Sequence, residues 1–411
     1  MKHVTQLKVL FSGEPVGLLL LRDRQCWFQY DAHWLQHGFD LSPQTMPFSI
    51  QPQLPLEPTF HGLHGVFHDS LPDGWGLLLM DRFFKRQFHW DPHEITLTDR
   101  LASLHKRPMG ALEYEPAMQE EVVSETVDLM ALAHDAERVL SGKSRAVLNQ
   151  LRLLGGSPGG ARPKVTVGLS ENSDECVSGL TDLPAGFSHW LVKFRGMDDP
   201  KDAGCIEKSY MDMAVMAGIK MPRGRLIQLT EGKKHEVFYA VERFDREGNI
   251  KRHMLTLSGY LYADHRLPSL DYNALLTATG RLTHDIQEIR RAFRLMVFNI
   301  LAHNRDDHTK NFAFLHSRSG QWELAPGFDL TFSSGMGNQH TTAINGSGNP
   351  SRKDIQTIAV AHSIDNWESI LDEVMLATTH WKNIAMQNQV TKQSIKQIAA
   401  AIDTIRKRLR R

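Results

Sequence analysis

Residues 301–330 read LAHNRDDHTKNFAFLHSRSGQWELAPGFDL. Asp306 stands five residues before Asn311, and Asp329 closes the stretch after two short β-type runs, 312–316 and 321–325, joined by Ser317-Arg318-Ser319-Gly320. Such a hairpin returns the chain, and Asp329 with it, to the side of Asn311. Upstream, Ile286, Ile289, Phe293, Met296, Val297, Ile300 and Leu301 recur at intervals of three and four, which predicts a helix over 285–303 that delivers the chain to Asp306.

Phosphoryl transfer from a magnesium nucleotide needs a carboxylate to position and deprotonate the acceptor hydroxyl, and oxygen ligands for the metal. The run Asn304 to Asn311 has the spacing of a protein-kinase catalytic loop, in which Asp takes the hydroxyl proton and Asn five residues later holds a metal. Only the leading His differs, replaced by Asn304. Gly327-Phe328-Asp329 carries the residues of the kinase metal-binding triplet in altered order. An Asp/Asn/His-rich loop is also ordinary turn chemistry, and the hairpin and the placing of Asp329 favour the catalytic reading. A metal site built from His303, Asp306, Asp307, His308 and His316 is a further reading, without a recurrent ligand spacing such as HExxH.

Before this stretch lies a second chemical feature, 155–164, GGSPGGARPK. Its glycines let the backbone turn sharply and bring N–H groups to phosphate oxygens. Ala161 stands where a Walker A loop needs Lys, and a helix precedes it where a strand should, so it is not that motif. Taken alone such a segment is more often a flexible surface turn, with Ser157 merely a turn residue, and its link to function depends on the catalytic loop. Lys193 sits inside the apolar run Trp190-Leu191-Val192-Lys193-Phe194. If that strand is buried Lys193 needs a partner, and Glu207 at the start of the next helix is the natural one. On an edge strand it would point into water instead.

The N-terminal part reads as short strands, 7–11 and 16–21, about Ser12-Gly13-Glu14-Pro15, then a proline-rich stretch and a helix over 75–84 after Leu71-Pro72-Asp73-Gly74. A helix capped by Ser124 and stopped by Gly142, a short helix over 144–154, and strands over 165–169, 189–194, 225–229 and 236–241 interrupted by a helix over 207–217 describe a sheet carrying a helix. Helices dominate from about 250 onward, ending in 394–409 with Ile395, Ile398, Ile402 and Ile405 on one face and a basic terminus.

With 411 residues, more than one core is expected. Lys plus Arg and Asp plus Glu both number 47, so charge selects no nucleic acid, membrane or acidic partner. Cys26, Cys176 and Cys205 lack CxxC spacing, which argues against a disulfide framework or a structural zinc site. No apolar run nears the roughly 20 residues that span a bilayer, and a cytoplasmic protein is expected.

Taken in order, the opening strands with Gly13 and Val16-Gly17, Leu71-Pro72-Asp73-Gly74, Gly159 to Lys164, Val192-Lys193-Phe194, Val241 to Arg246, Asp306-x-His308-x-Lys310-Asn311-Phe312 and Leu324-Ala325-Pro326-x-x-Asp329-Leu330 resemble the HipA family of serine/threonine-kinase toxins of bacterial toxin–antitoxin operons. The resemblance implies an α+β, two-lobed kinase-like fold: an N-terminal subdomain over 1–115, an N-lobe over 116–246 and a helical C-lobe over 247–411. It makes Asp306 the catalytic base and Asn311 and Asp329 the Mg²⁺ ligands. It places ATP against Ser157, Gly159, Gly160, Ala161, Arg162, Lys164, Lys193, Glu207 and Glu242, with Ser157 autophosphorylated.

It further implies aminoacyl-tRNA synthetases as protein targets, a helix-turn-helix antitoxin as partner, and operator DNA reached through that antitoxin. Two residues depart from the family's usual pattern. Arg162 stands where a glutamine or similar is usual, and Asp307, where a small residue is usual, is open between competing for metal and facing solvent. The alternatives are a catalytically weak kinase-fold module acting as corepressor and a small-molecule phosphotransferase.

Overall fold

The computed structural model describes residues 2–118, 126–143, 149–156, 158–172, 175–316 and 320–410. By backbone proximity the chain divides into two compact units. The first comprises Met1–Pro200, Ile227–Leu255 and Gly259–Tyr262, the second Lys201–Leu226, Thr256–Ser258 and Ala263–Arg411.

Among the described residues the first unit holds a four-stranded sheet, a five-stranded sheet and the two-stranded ribbon Arg246–Glu247 with Ile250–Lys251. In the four-stranded one the order is Gln25–Tyr30, Glu14–Arg22, Gln6–Phe11, Leu112–Glu115. Its first turn is the pair Ser12-Gly13, both at positive φ, the geometry that matches strand twist in a two-residue hairpin. The register slips between Val9 and Leu10, where Pro15 lies opposite Leu10. A proline inside a ladder is tolerated at such a bulge because it has no N–H to donate. Gly17 is required by close approach, since a Cβ there would lie 2.3 Å from the Gln29 carbonyl oxygen.

The five-stranded sheet has the order Cys176–Ser178, Lys164–Ser170, Phe187–Lys193, Lys234–Glu242, Gly224–Glu231, and the first unit takes over the last strand from Ile227. Lys164–Ser170 is buried along its whole length. Val165, Val167, Trp190, Val192 and Phe238 form one core with Trp75 and Leu79 of the helix Gly74–Phe88, Leu132 and Val139 of Leu129–Leu140, and Leu151 and Leu154 of Asn149–Gly155. Each such side chain contributes about 1.5–3 kcal/mol when taken out of water. Ser124 lies outside the described residues, and the helix it was expected to cap begins later: Asp128 accepts from Ala131 N at 3.0 Å.

In the second unit the helix Ile286–Leu301 is capped by Asp285, which accepts from Gln287 N at 2.8 Å. Phe293, Met296, Val297, Ile300 and Leu301 are buried, whereas Ile286 at the start of the stripe is 39% exposed. The helix is therefore anchored by its C-terminal half, the half that leads to Asp306. The Tyr210 hydroxyl of Ala203–Met216 donates to the Ala302 carbonyl at 2.6 Å and fixes that end. The hairpin Ala313–His316 and Trp322–Leu324 forms as expected from the pattern, and Ala325 N donates to the Ala313 carbonyl at 2.9 Å. Helices Arg352–Ala361, Trp367–Thr379, Trp381–Gln387 and Lys392–Leu409 complete the unit. Among the described residues no helix is long and apolar enough to cross a membrane.

Candidate active site

In the second unit, the chain leaves its central helix through His303, at φ 56°, and enters the loop that carries Asp306. The polar groups around Asp306 are pinned. His303 Nδ1–H donates to the Ser333 carbonyl at 3.1 Å, and burial together with the Arg305 guanidinium holds the imidazole below its usual pKa, which suits a neutral ring. Asn304 bridges Ser333 through the backbone, and its side-chain amide donates to Asn299 Oδ1 at 3.0 Å. The Arg305 guanidinium binds Asn338 and, at 2.9 Å, Asn349 Oδ1. These contacts tie the loop to the helix behind it and to the segment 333–349.

Asp307 is turned away from solvent, and both of its carboxylate oxygens are taken up by hydrogen bonds. Its Oδ2 accepts from the Tyr272 hydroxyl at 2.8 Å and from His340 Nδ1–H at 2.7 Å, while its Oδ1 accepts from Thr341 N at 2.9 Å and Thr342 N at 3.3 Å. It is 1% exposed. The Tyr272 oxygen in turn accepts from Asn299 Nδ2 at 2.9 Å, so one network runs from the central helix through the loop to 340–342. No spacing in the sequence marks this role, because its partners lie 33 to 35 residues away on either side.

Asp306 itself is exposed, in contrast with its neighbour. Asn311 Nδ2 donates to the Asp306 carbonyl at 2.8 Å across the short turn Thr309–Asn311, which fixes the amide and distinguishes its two ends. Asp329 lies at φ 56°, half-buried. A left-handed conformation is uncommon for a residue with a side chain, and such residues cluster at functional sites. The five-residue His/Asp metal reading fails on geometry: Asp307 and His303 are committed to the contacts above, and among the described residues no group of three or more His, Cys, Asp or Glu is placed to hold a metal.

In the first unit the glycine-rich loop is seated on the start of Gly74–Phe88. Gly160 N donates to Asp73 Oδ1, and Trp75 N donates to the Gly160 carbonyl at 3.0 Å. A Cβ on Gly74 would come within 2.7 Å of Ala161 Cα. Leu71-Pro72-Asp73-Gly74, which in the sequence reads only as a turn into a helix, is thus the platform of the loop. Ser157 lies outside the described residues.

Gly160 has φ +94°, and Lys164 Nζ donates to the Gly159 carbonyl at 2.5 Å. Lys164 lies directly opposite Lys193 in the strand register, and both are buried. The strand of Lys193 is flanked on both sides, so the edge-strand reading is wrong, and its ammonium lies 5.8 Å from the Tyr239 ring centroid. The departure at Arg162 is accommodated by an ion pair with Asp199 at 2.9 Å. Glu242 ends the strand Lys234–Glu242 opposite Trp190, and Glu207, in the second unit, is buried on Ala203–Met216.

Three residues beyond Glu242 lies Asp245, fully buried. Burial raises its pKa, yet Arg243 and Arg246 outweigh it and hold the carboxyl well below the usual range. It accepts from both guanidiniums and, at 2.7 Å, from Gly110 N. The conspicuous charges of Val241 to Arg246 are therefore a buried clamp on the segment that follows the sheet.

Family comparison adds to this geometry. A model described as the HipA-like C-terminal domain matches residues 156–408, and one described as the HipA N-terminal domain matches 7–115. A protein of Sinorhizobium fredii named "Putative kinase Y4dM" is 26% identical over 171 residues, covering 38% of this chain and 41% of that relative's length. Among solved structures, a chain of the Shewanella oneidensis MR-1 toxin–antitoxin complex of HipA, HipB and operator DNA matches 97% of this chain and 95% of its own, with a TM-score of 0.70 at 16% identity, which establishes a common fold. The Helicobacter pylori kinase CtkA gives a TM-score of 0.39 over 61% of this chain and 90% of its own, at 14% identity, too low to argue from. With both domain models matched in order, and one of them covering more than half of its length, the chain belongs to the HipA family.

Proposed function

We propose that the chain is an ATP- and Mg²⁺-dependent serine/threonine protein kinase. The observation that carries the reading is the contrast within one loop: Asp306 is exposed, while Arg305 and Asp307 on either side of it are buried and held by hydrogen bonds. A general base needs this combination of access and fixed position. The residues suit the nucleotide too. Two buried lysines stand opposite each other beside the glycine loop, and cations next to such a loop's backbone N–H groups suit oligophosphate.

In this reading Asp306 accepts the proton of the acceptor hydroxyl. Asn311, whose Nδ2 is held by the Asp306 carbonyl, offers Oδ1 to Mg²⁺, and Asp329 offers a carboxylate oxygen. Bound Mg²⁺ would neutralise charge on the phosphates. Lys193 and Lys164, with the loop of Gly159, Gly160, Ala161 and Arg162, hold the phosphates, and Glu242 lies near the adenine. Glu207 belongs to the same nucleotide-binding set, and Ser157 is the site of self-phosphorylation. The domain limits at 115 and 246, a cytoplasmic location, an aminoacyl-tRNA synthetase target, a helix-turn-helix antitoxin and operator DNA bound through it belong to the same proposal, on the strength of the family.

Labelled ATP incubated with the protein and cell lysate tests it. Phosphopeptide mapping is expected to find serine or threonine labelled on a lysate protein and on Ser157, with Lys193→Ala weakening nucleotide binding. Unchanged ATP affinity in Lys193→Ala, or label on small molecules alone, overturns it.

A further inference from the structure

The last two helices of the second unit leave a groove that the phosphotransfer reading does not use. Trp381–Gln387 and Lys392–Leu409 enclose about 530 Å³ over a floor that includes Met386, Val390 and Ile395, and Lys382, Lys392 and Lys396 stand around it. The groove follows from how the C-terminal helix is buried. Ile398, Ile402, Ile405 and Leu409 form its inward stripe, and Ile395, at the N-terminal end of the same face, is only half-buried. Met386 is 60% exposed, a large apolar side chain left in water. Flexible thioether side chains of this kind are common where a surface adapts to a partner.

The charges define what fits. Among the described residues none of the three lysines is ion-paired, and the one acid lining the groove, Asp403, is paired with Arg406 at 3.2 Å. The uncompensated charge at the groove is therefore positive. Lys392 and Lys396, four residues apart on one helix, are separated by about 6 Å along its axis. Acidic residues at i and i+4 of a second helix have the same spacing. A single anionic headgroup would engage one lysine and leave the others idle, and a nucleic-acid backbone would leave the apolar floor unused.

We propose that this groove docks an acidic amphipathic helix of a partner protein. The partner's apolar residues at i, i+3 or i+4 would cover Met386, Val390 and Ile395 in the helix-in-groove manner. Its carboxylates would meet Lys382, Lys392 and Lys396, which sets orientation and speeds encounter.

The probe is a fluorescent synthetic helix of about 15 residues, long enough to be partly helical alone, with leucines at i, i+3, i+4 and i+7 flanked by glutamates. Its binding to the full chain is read by anisotropy. The acidic peptide is expected to bind, to weaken as salt is raised, and to lose about tenfold in affinity, some 1.4 kcal/mol, to the double variant Lys392→Glu/Lys396→Glu and to Met386→Glu. A peptide with lysines in place of the glutamates is expected not to bind. Equal binding of both peptides reveals only an adhesive apolar surface and overturns the proposal, as does an unchanged affinity in the double variant or no binding at all. Concentration-dependent dimers in sedimentation velocity that the same double variant abolishes would assign the groove to a second copy of this chain and overturn it equally. Phosphotransfer by these variants should match the wild type, so this result and the test of kinase activity fail independently.

Discussion

Replacing Asp307 by alanine removes the acceptor for two backbone N–H groups, one tyrosine hydroxyl and one imidazole N–H in a region closed to water. Each orphaned donor costs about 1–3 kcal/mol, but relaxation and entering water recover part of the sum. The figure to expect is about 3–5 kcal/mol, that of removing one partner from a buried charged network. Asp307→Asn is milder. Its Oδ1 still accepts from Thr341 and Thr342, the new amide can donate to the Tyr272 oxygen, and the principal loss is at His340, for about 1–2 kcal/mol. Urea unfolding ranks the variants, and amide exchange at Thr341 and Thr342 localises the effect. The wild type should protect both amides and the alanine variant should expose them first. An alanine variant as stable as the wild type, or an asparagine variant less stable than alanine, would refute the network's role.

Three further outcomes follow from the same structure. Burial lowers the pKa of His64 to about 4, and burial with Arg243 and Arg246 does the same for His189. Because the unfolded chain protonates these rings first, they should make the protein less stable as pH falls from about 6.5 to about 4, by at most ~1.4 kcal/mol per pH unit for each ring. His189→Gln should flatten that slope in urea titrations, and Asp40, raised to about 6 by burial, opposes it in part. Asp245→Ala strands two buried guanidiniums and should cost the first unit about 3–5 kcal/mol in unfolding experiments. Gly160→Ala places a Cβ at φ +94° beside Lys164 Nζ, and should weaken Mg-ATP binding in calorimetry and cost more than about 1 kcal/mol of stability.

The elements around the candidate site are legible in the sequence where a local period or cap declares them. The helix ending at Leu301, the paired strands 313–316 and 322–324 and the strand of Lys193 follow from spacing and composition, whereas the burial of Lys193 does not. Capping is less legible: Asp128 and Ser124 are both acceptable caps in isolation, and the helix takes Asp128. What is hidden is long-range pairing. Asp307 looks as chemical as Asp306 because both are acids in one loop. Only the approach of Tyr272 and His340 from distant segments makes one structural and leaves the other exposed. Asp73 is hidden in the same way, since its partner Gly160 lies 87 residues on. Asp245 shows that a run of charges can be interior, because its partners satisfy one another within the fold.

The most direct test of the central claim is the rate of labelled phosphate transfer from Mg-ATP by purified wild type and Asp306→Asn, with circular dichroism showing that both are folded. Loss of the general base predicts a fall of about 10²–10⁴-fold with nucleotide affinity little changed. Equal transfer rates in two folded proteins would contradict the assignment of Asp306 and the catalytic reading of its loop.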